Sequence, residues 1–155
     1  MNIKIYGGIN LAKVTWSDFE ELIAHFFSIW YSKEVIFTQK SQDHGIDAYI
    51  KENNRYLIIF QMKKYNNKNK IGEPTIRDLY GSIADSVSRQ GIIPQGVMIT
   101  TGVYSQPALD WAKGKKITLI NGANLVKLFH KKGYKNFYID FNETPEKVNK
   151  EQRKY

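Results

Sequence analysis

The nine residues Arg55–Lys63, Arg-Tyr-Leu-Ile-Ile-Phe-Gln-Met-Lys, leave few folds open. Tyr56 to Phe60 are apolar at successive positions, so an extended segment here is hydrophobic on both faces. Such a strand has to be covered from both sides, which predicts a central position in a sheet flanked by other elements. A strand at 47–51 precedes it, and Glu52-Asn53-Asn54 between them reads as a hairpin connection.

The covering elements can be read from periodicity. Trp16, Phe19, Leu22, Ile23, Phe26, Phe27 and Trp30 recur at helical spacing, predicting an amphipathic helix over 16–30 with its aromatic residues in the core. Thr15, with Asp18 three residues on, is a capping-box variant at its start, and Glu20 lies at the border of the apolar stripe. Pro74 opens a second helix over 75–88. A short strand at 35–38 precedes the hairpin. After residue 90 a strand (96–100), a helix (105–113), a strand (117–120) and a helix (123–131) alternate. The expected class is α/β, a mixed central sheet flanked by helices. Residues 1–15 read as an irregular lead-in, Tyr65–Lys70 as a polar loop, and 135–141 as an edge strand. One domain is expected over 1–141, with 142–155 a frayed tail.

Composition narrows the function. The 155 residues include no cysteine, which excludes disulfide scaffolds and thiolate metal sites. No run of about 18 apolar residues could span a bilayer, and Met1–Tyr6 lack the apolar stretch of a signal peptide. The expected location is cytoplasmic. The net charge of +8 is uneven: residues 14–55 are net −3, 61–77 net +4 and 110–135 net +6. A basic surface beside an acidic cluster suits a phosphate-backbone binder with a metal site, although lysines that merely solvate the surface would look the same. No Gly-rich loop ending in Lys-Ser/Thr and no G-x-S-x-G elbow is present, and His25 and His130 are isolated.

The constellation that carries chemistry is Asp47 with Gln61-Met62-Lys63. Gln61 and Lys63 leave one face of the predicted strand, and Asp47 begins its neighbour. Register decides whether they meet. A two-residue turn centred between Asn53 and Asn54 pairs Asp47 with Phe60, on the wrong face; an odd-numbered loop or a bulge pairs it with Gln61. Together they would bind a hard cation such as Mg²⁺ through the Asp47 carboxylate, the Gln61 amide oxygen and the Met62 carbonyl. Lys63 would orient or deprotonate an attacking water. Glu20 and Asp43 would offset the neutral charge of glutamine, directly or through water. An ordinary surface aspartate beside a polar strand end uses the same residues.

In order along the chain stand Trp16–Ala24 (WSDFEELIA), Ser41–Asp47 (SQDHGID), Gln61–Tyr65 (QMKKY), Ile71-Gly72, Arg77–Gly81 (RDLYG), Gly96–Gly102 (GVMITTG), Ala108, Ile117–Gly122 (ITLING) and Leu125. This series resembles the catalytic domain of Mrr-type restriction endonucleases, in the PD-(D/E)xK nuclease superfamily, over roughly residues 15–130. The resemblance implies a restriction-endonuclease-like sheet and a DNA endonuclease using Mg²⁺, with Mn²⁺ as a substitute. In it Asp47 is the metal-binding aspartate, Gln61 replaces the usual acidic ligand, Lys63 is the catalytic lysine and Glu20 is the helix-borne acid. Met62 stands where these domains often have cysteine, and His44 where glycine is usual.

Lys64, Lys68, Lys70, Arg77 and His44 are the candidate DNA contacts near the motif, joined by Thr101 at a strand end and by Lys113 and Lys116 in one basic turn. Related domains carry a separate target-reading domain, and too few residues flank the match here to form one. The chain is therefore expected to read DNA crudely or to work with a target-recognition or motor partner, and a homodimer would cut both strands. The competing readings are a Holliday-junction resolvase-like nuclease and a nucleic-acid-binding module without cleavage; RNA is open as a target.

Overall fold

The computed structural model describes residues 8–38, 46–65 and 69–143. In it Arg55–Lys63 forms β4, the middle strand of a five-stranded mixed sheet. On one side β4 pairs antiparallel with β3 (Ala48–Glu52), which pairs with β2 (Ile36–Phe37). On the other it pairs parallel with β6 (Gln95–Thr100), which pairs with β8 (Ile117–Ile120).

Both faces of β4 are buried, as its composition requires. Ile58, Phe60 and Met62 point into one core with Phe19, Phe26 and Phe27 of α1 (Trp16–Tyr31) and Leu125 and Phe129 of α4 (Gly122–Lys131). Ile59 points into the other with Ile76, Leu79 and Ile83 of α2 (Glu73–Gln90) and Ala108 and Ala112 of α3 (Gln106–Ala112). Each fully buried large side chain contributes roughly 1.5–3 kcal/mol. α1 starts where expected, with Thr15 Oγ1 accepting from Asp18 N at 3.1 Å, and stops at Ser32 in the left-handed region. α2 begins two residues earlier than the sequence predicted and ends at Gly91, with φ 75°. Its close seat on the sheet needs Gly96, where a Cβ would come within 2.6 Å of Ile83 Cδ1. No described helix is long and apolar enough to cross a membrane.

The β3–β4 hairpin meets the register condition by a bulge. Its turn has two residues, Asn53 and Asn54, both at positive φ (51° and 62°), the conformation that matches strand twist. Glu52 pairs with Arg55 and Lys51 with Tyr56, the register that would strand Asp47 on the wrong face. The ladder then shifts, and Ile50 pairs with Ile58, leaving Leu57 as an extra residue in a bulge. The side chain of Gln90, at the end of α2, fastens this bulge. Its Oε1 accepts from Tyr56 N at 2.8 Å and its Nε2 donates to Tyr56 O at 2.9 Å, as a neighbouring strand would.

Elsewhere the short elements differ from expectation. Within the expected lead-in, β1 (Ile9–Asn10) pairs parallel with β9 (Phe137–Tyr138), so the 135–141 segment forms a separate two-stranded sheet rather than an edge of the main one. The expected loop ends in β5 (Lys70–Ile71), paired with β7 (Val103–Tyr104). Order extends past residue 141: Glu143 is buried and accepts from Asn10 Nδ2 at 2.7 Å and from Tyr138 Oη at 2.6 Å. The rest of the expected tail, 144–155, lies outside the described residues. Trp16, expected in the core, is 40% exposed, because it opens α1 at the edge of its apolar stripe.

Candidate active site

The bulge brings Asp47 level with Gln61. Asp47 N donates to Phe60 O at 2.9 Å, and Asp47 Oδ2 accepts from Met62 N at 2.6 Å, so the aspartate bonds the chain on either side of Gln61. On its other flank, Asp47 O accepts from Thr38 N at 3.0 Å and from Thr38 Oγ1 at 3.2 Å. The Met62 side chain is 1% exposed and sits in the α1 core, which leaves Gln61 and Lys63 on the α2 face. There both line an open groove of about 690 Å³ between β4 and α2. Gln61 is only 5% exposed, and its Oε1 has no hydrogen-bond partner among the described residues. A buried acceptor left unbonded is costly and rare, and marks a place where a missing partner belongs.

The end of β6 holds Lys63 in place. Lys63 O accepts from Thr100 Oγ1 at 2.7 Å, and Thr101 Oγ1 bonds Tyr65 N at 2.7 Å and Tyr65 O at 3.0 Å. The Thr101 hydroxyl, a candidate for either a phosphate contact or a structural cap, is used here within the chain. It closes a local bracket around the strand exit, and the residue is 2% exposed.

Residues 11–136 match the family model Mrr_cat, described as restriction endonuclease. The chain belongs to the Mrr_cat restriction endonuclease family. No curated protein matches it significantly in sequence. Three solved structures share the Mrr_cat chain's fold. A protein of unknown function, AF1548, superposes with TM-score 0.58 at 16% identity, over 72% of this chain and 64% of that one. A repair endonuclease from Pyrococcus abyssi gives 0.53 at 10%, over 70% and 47%. The DNA modification-dependent restriction endonuclease AspBHI gives 0.54 at 17%, over 86% and 33%. The chain thus spans from about a third to just under two thirds of the length of these relatives.

The donor set of this Mrr_cat chain suits a hard divalent cation. Such ions take oxygen ligands, and an orphaned amide oxygen on Gln61 beside the Asp47 carboxylate supplies two of them. Among the described residues no three His, Asp or Glu side chains converge. Glu20 is half-buried early in α1, on the other side of the sheet from the groove. Asp43, His44 and Lys68 lie outside the described residues.

The candidate DNA contacts fall into two groups. Lys64 follows Lys63 at the strand end. Burial there, and then the nearby charge of Lys13, hold its ammonium below the usual lysine pKa. Lys13 precedes α1, so α1 starts at the end of the sheet where β4 finishes. Sequence reading missed Lys13, because no periodicity or motif brings 13 next to 64. Lys70 is exposed on β5. Arg77 lines the groove, bonds Glu73 at 2.6 Å and stacks over Trp111 at 5.0 Å. Lys116 belongs elsewhere. Its carbonyl accepts from Gly96 N at the start of β6, while Lys63 pairs with Thr100 at its end. Four residue steps, about 13 Å, separate those levels. Lys116 Nζ is bonded to Ile93 O at 2.9 Å and Lys113 to Asp110 at 3.3 Å. Lys113 and Lys116, candidate DNA contacts in a basic turn of their own, therefore stand toward the opposite end of the sheet from the lysine motif.

Proposed function

We propose that the chain is a metal-dependent DNA endonuclease that hydrolyses phosphodiester bonds at the end of β4. The observation that carries this reading is the unbonded, buried Oε1 of Gln61, set between the Asp47-bound backbone and Lys63 and opening toward one groove. Membership of the Mrr_cat family supports the same reaction class.

The Asp47 carboxylate, Gln61 Oε1 and the Met62 carbonyl would hold Mg²⁺ or Mn²⁺; Glu20, across the sheet, is left out of this set. Bound there, the ion supplies charge neutralisation at the phosphate and acidifies a water. Asp47 and Gln61 present their oxygens from two strands locked in register, so little reorganisation is required on binding. Lys63 donates hydrogen bonds to the attacking water and to the phosphate oxygen on which charge accumulates. As the water oxygen bonds to phosphorus and releases a proton to solvent, the bond to the leaving deoxyribose oxygen breaks, and that oxygen takes up a proton from solvent. Lys64, Lys70 and Arg77 hold flanking phosphates through charge.

The test is incubation with supercoiled plasmid and with branched DNA in Mg²⁺, Mn²⁺ or EDTA. Cleavage in either metal, absent in EDTA and in folded Asp47→Ala and Lys63→Ala variants, is the expected result. Equal cleavage by those variants would remove the assignment.

A further inference from the structure

Gly81 lies in the interior of α2, where a glycine weakens a helix relative to alanine. Among the described residues nothing accounts for it. Its φ is not among the positive ones, which belong to Gly91, Gly114 and Gly133, and a Cβ placed there meets nothing within 4 Å. Gly96 and Gly102 differ in this respect, since a Cβ on either would come within 2.6 Å of Ile83 Cδ1 or Asn69 O. Gly81 instead faces the groove whose other wall carries Gln61 and Lys63. The helix wall beside it stays low, because Ser82 and Ser86 are buried and Ser86 Oγ bonds back to Ser82 O at 3.0 Å. A bare helix surface thus confronts a 95%-buried glutamine with an unbonded oxygen.

We propose that a short unpaired length of a DNA strand lies in this groove, its backbone pressed against α2 at Gly81 and its scissile phosphate delivered to Gln61 and Lys63. The proposal rests on the nuclease reading of the same site and names its substrate class, DNA with unpaired nucleotides beside the cut. A volume of about 690 Å³ is that of a small-molecule cleft and matches a short piece of one strand. Arg77 and Arg89 lie at the two ends of the helix wall, about 18 Å apart, each in an exposed ion pair within α2 that phosphate can displace, with Arg77 also stacked over Trp111. Asp78 and Asp85 between them oppose a continuous phosphate track, which limits the bound strand to a short length.

The deciding experiment measures fluorescence anisotropy of a labelled single-stranded oligonucleotide and of its duplex, in EDTA, with the wild-type, Gly81→Ala and Gly81→Leu proteins, alongside their melting temperatures. Gly81→Ala is expected to raise Tm by about 2–4 °C, and still to weaken single-strand binding about tenfold. Gly81→Leu should weaken it further, and duplex binding should change much less in both. A more stable protein that binds its ligand worse cannot be explained by misfolding. Unchanged single-strand affinity in both variants, an equal loss on duplex, or a wild type without single-strand preference would each overturn the proposal. Because cleavage is not read, a protein that never cuts DNA would defeat the nuclease reading without affecting this measurement.

Discussion

The Asp47 carboxylate accepts a 2.6 Å hydrogen bond from the backbone N–H of Met62, so the acid on one strand is fastened to the strand that bears Gln61 and Lys63. The bond gives Asp47 two separable duties, one structural and one electrostatic. Asp47→Ala removes both and leaves the Met62 N–H without this acceptor, at a cost of about 1–3 kcal/mol. Asp47→Asn keeps an oxygen for Met62 and removes the charge. Thermal melts should therefore place Asn near wild type and Ala below it. Calorimetric Mn²⁺ titration should show at least about tenfold weaker binding in both, the loss expected when a ligating charge goes.

The Leu57 bulge is what sets Asp47 level with Gln61, and its exposed backbone is satisfied by one side chain. Gln90→Ala strips the acceptor from Tyr56 N and the donor from Tyr56 O, and should cost about 1–3 kcal/mol. Gln90→Glu keeps the acceptor and should fall between the two. Amide hydrogen exchange provides the local readout. The Tyr56 amide should exchange faster in Gln90→Ala than in Gln90→Glu, while Phe60 and Met62, deep in the sheet, keep their protection.

Much of this arrangement was legible because it rests on repeated apolar spacing. β4 declared itself by being hydrophobic on both faces, and α1 by a stripe sustained over four turns. The two-residue strands β1, β5, β7 and β9 have no period to read, and only tertiary pairing creates them. The bulge was one of two solutions the sequence left open. A type I′ turn at Asn53-Asn54 and the two-faced burial of Ile58–Met62 demand different registers, and Leu57 reconciles them. The role of Thr101 stayed open in the sequence because a hydroxyl at a strand end looks alike whether it serves a ligand or its own neighbour. The place of Lys113 and Lys116 stayed open because charge density says nothing about which end of a strand it occupies.

Lys64 should be the readily labelled lysine of the strand end. Burial first, and Lys13 second, disfavour its charged form, so more of it is neutral at mildly alkaline pH than of an ordinary lysine. Amine-reactive labelling followed by peptide mapping should find Lys64 modified at lower pH than exposed Lys70. Lys13→Gln removes only the smaller cause and should move Lys64 part of the way back. Bound DNA should suppress its labelling, since a phosphate favours the charged form.

Tyr104 should govern how the fold fails in alkali. It is buried in the α2–α3 core, and its Oη lies 2.9 Å from Met98 O and 3.1 Å from Ile120 O, bridging β6 and β8. Burial drives its pKa far above the usual tyrosine value of 10.0. In the unfolded chain the phenol ionises near its ordinary value, while the folded chain keeps its proton. Above about pH 10 the unfolded state therefore binds fewer protons than the folded one, and stability must fall as pH rises. The contribution is complete below that pH and is lost on the alkaline side. Tyr104→Phe cannot ionise in either state. At neutral pH it should be less stable than wild type by about 0.5–1.5 kcal/mol, the net worth of a typical hydrogen bond. In denaturant titrations between about pH 9 and pH 12 the gap should narrow, because only wild type pays this ionisation term on unfolding. The remaining tyrosines and lysines titrate in both proteins and cancel in the comparison. A gap that stayed constant across the range would show that Tyr104 ionises in the folded chain as easily as in the unfolded one.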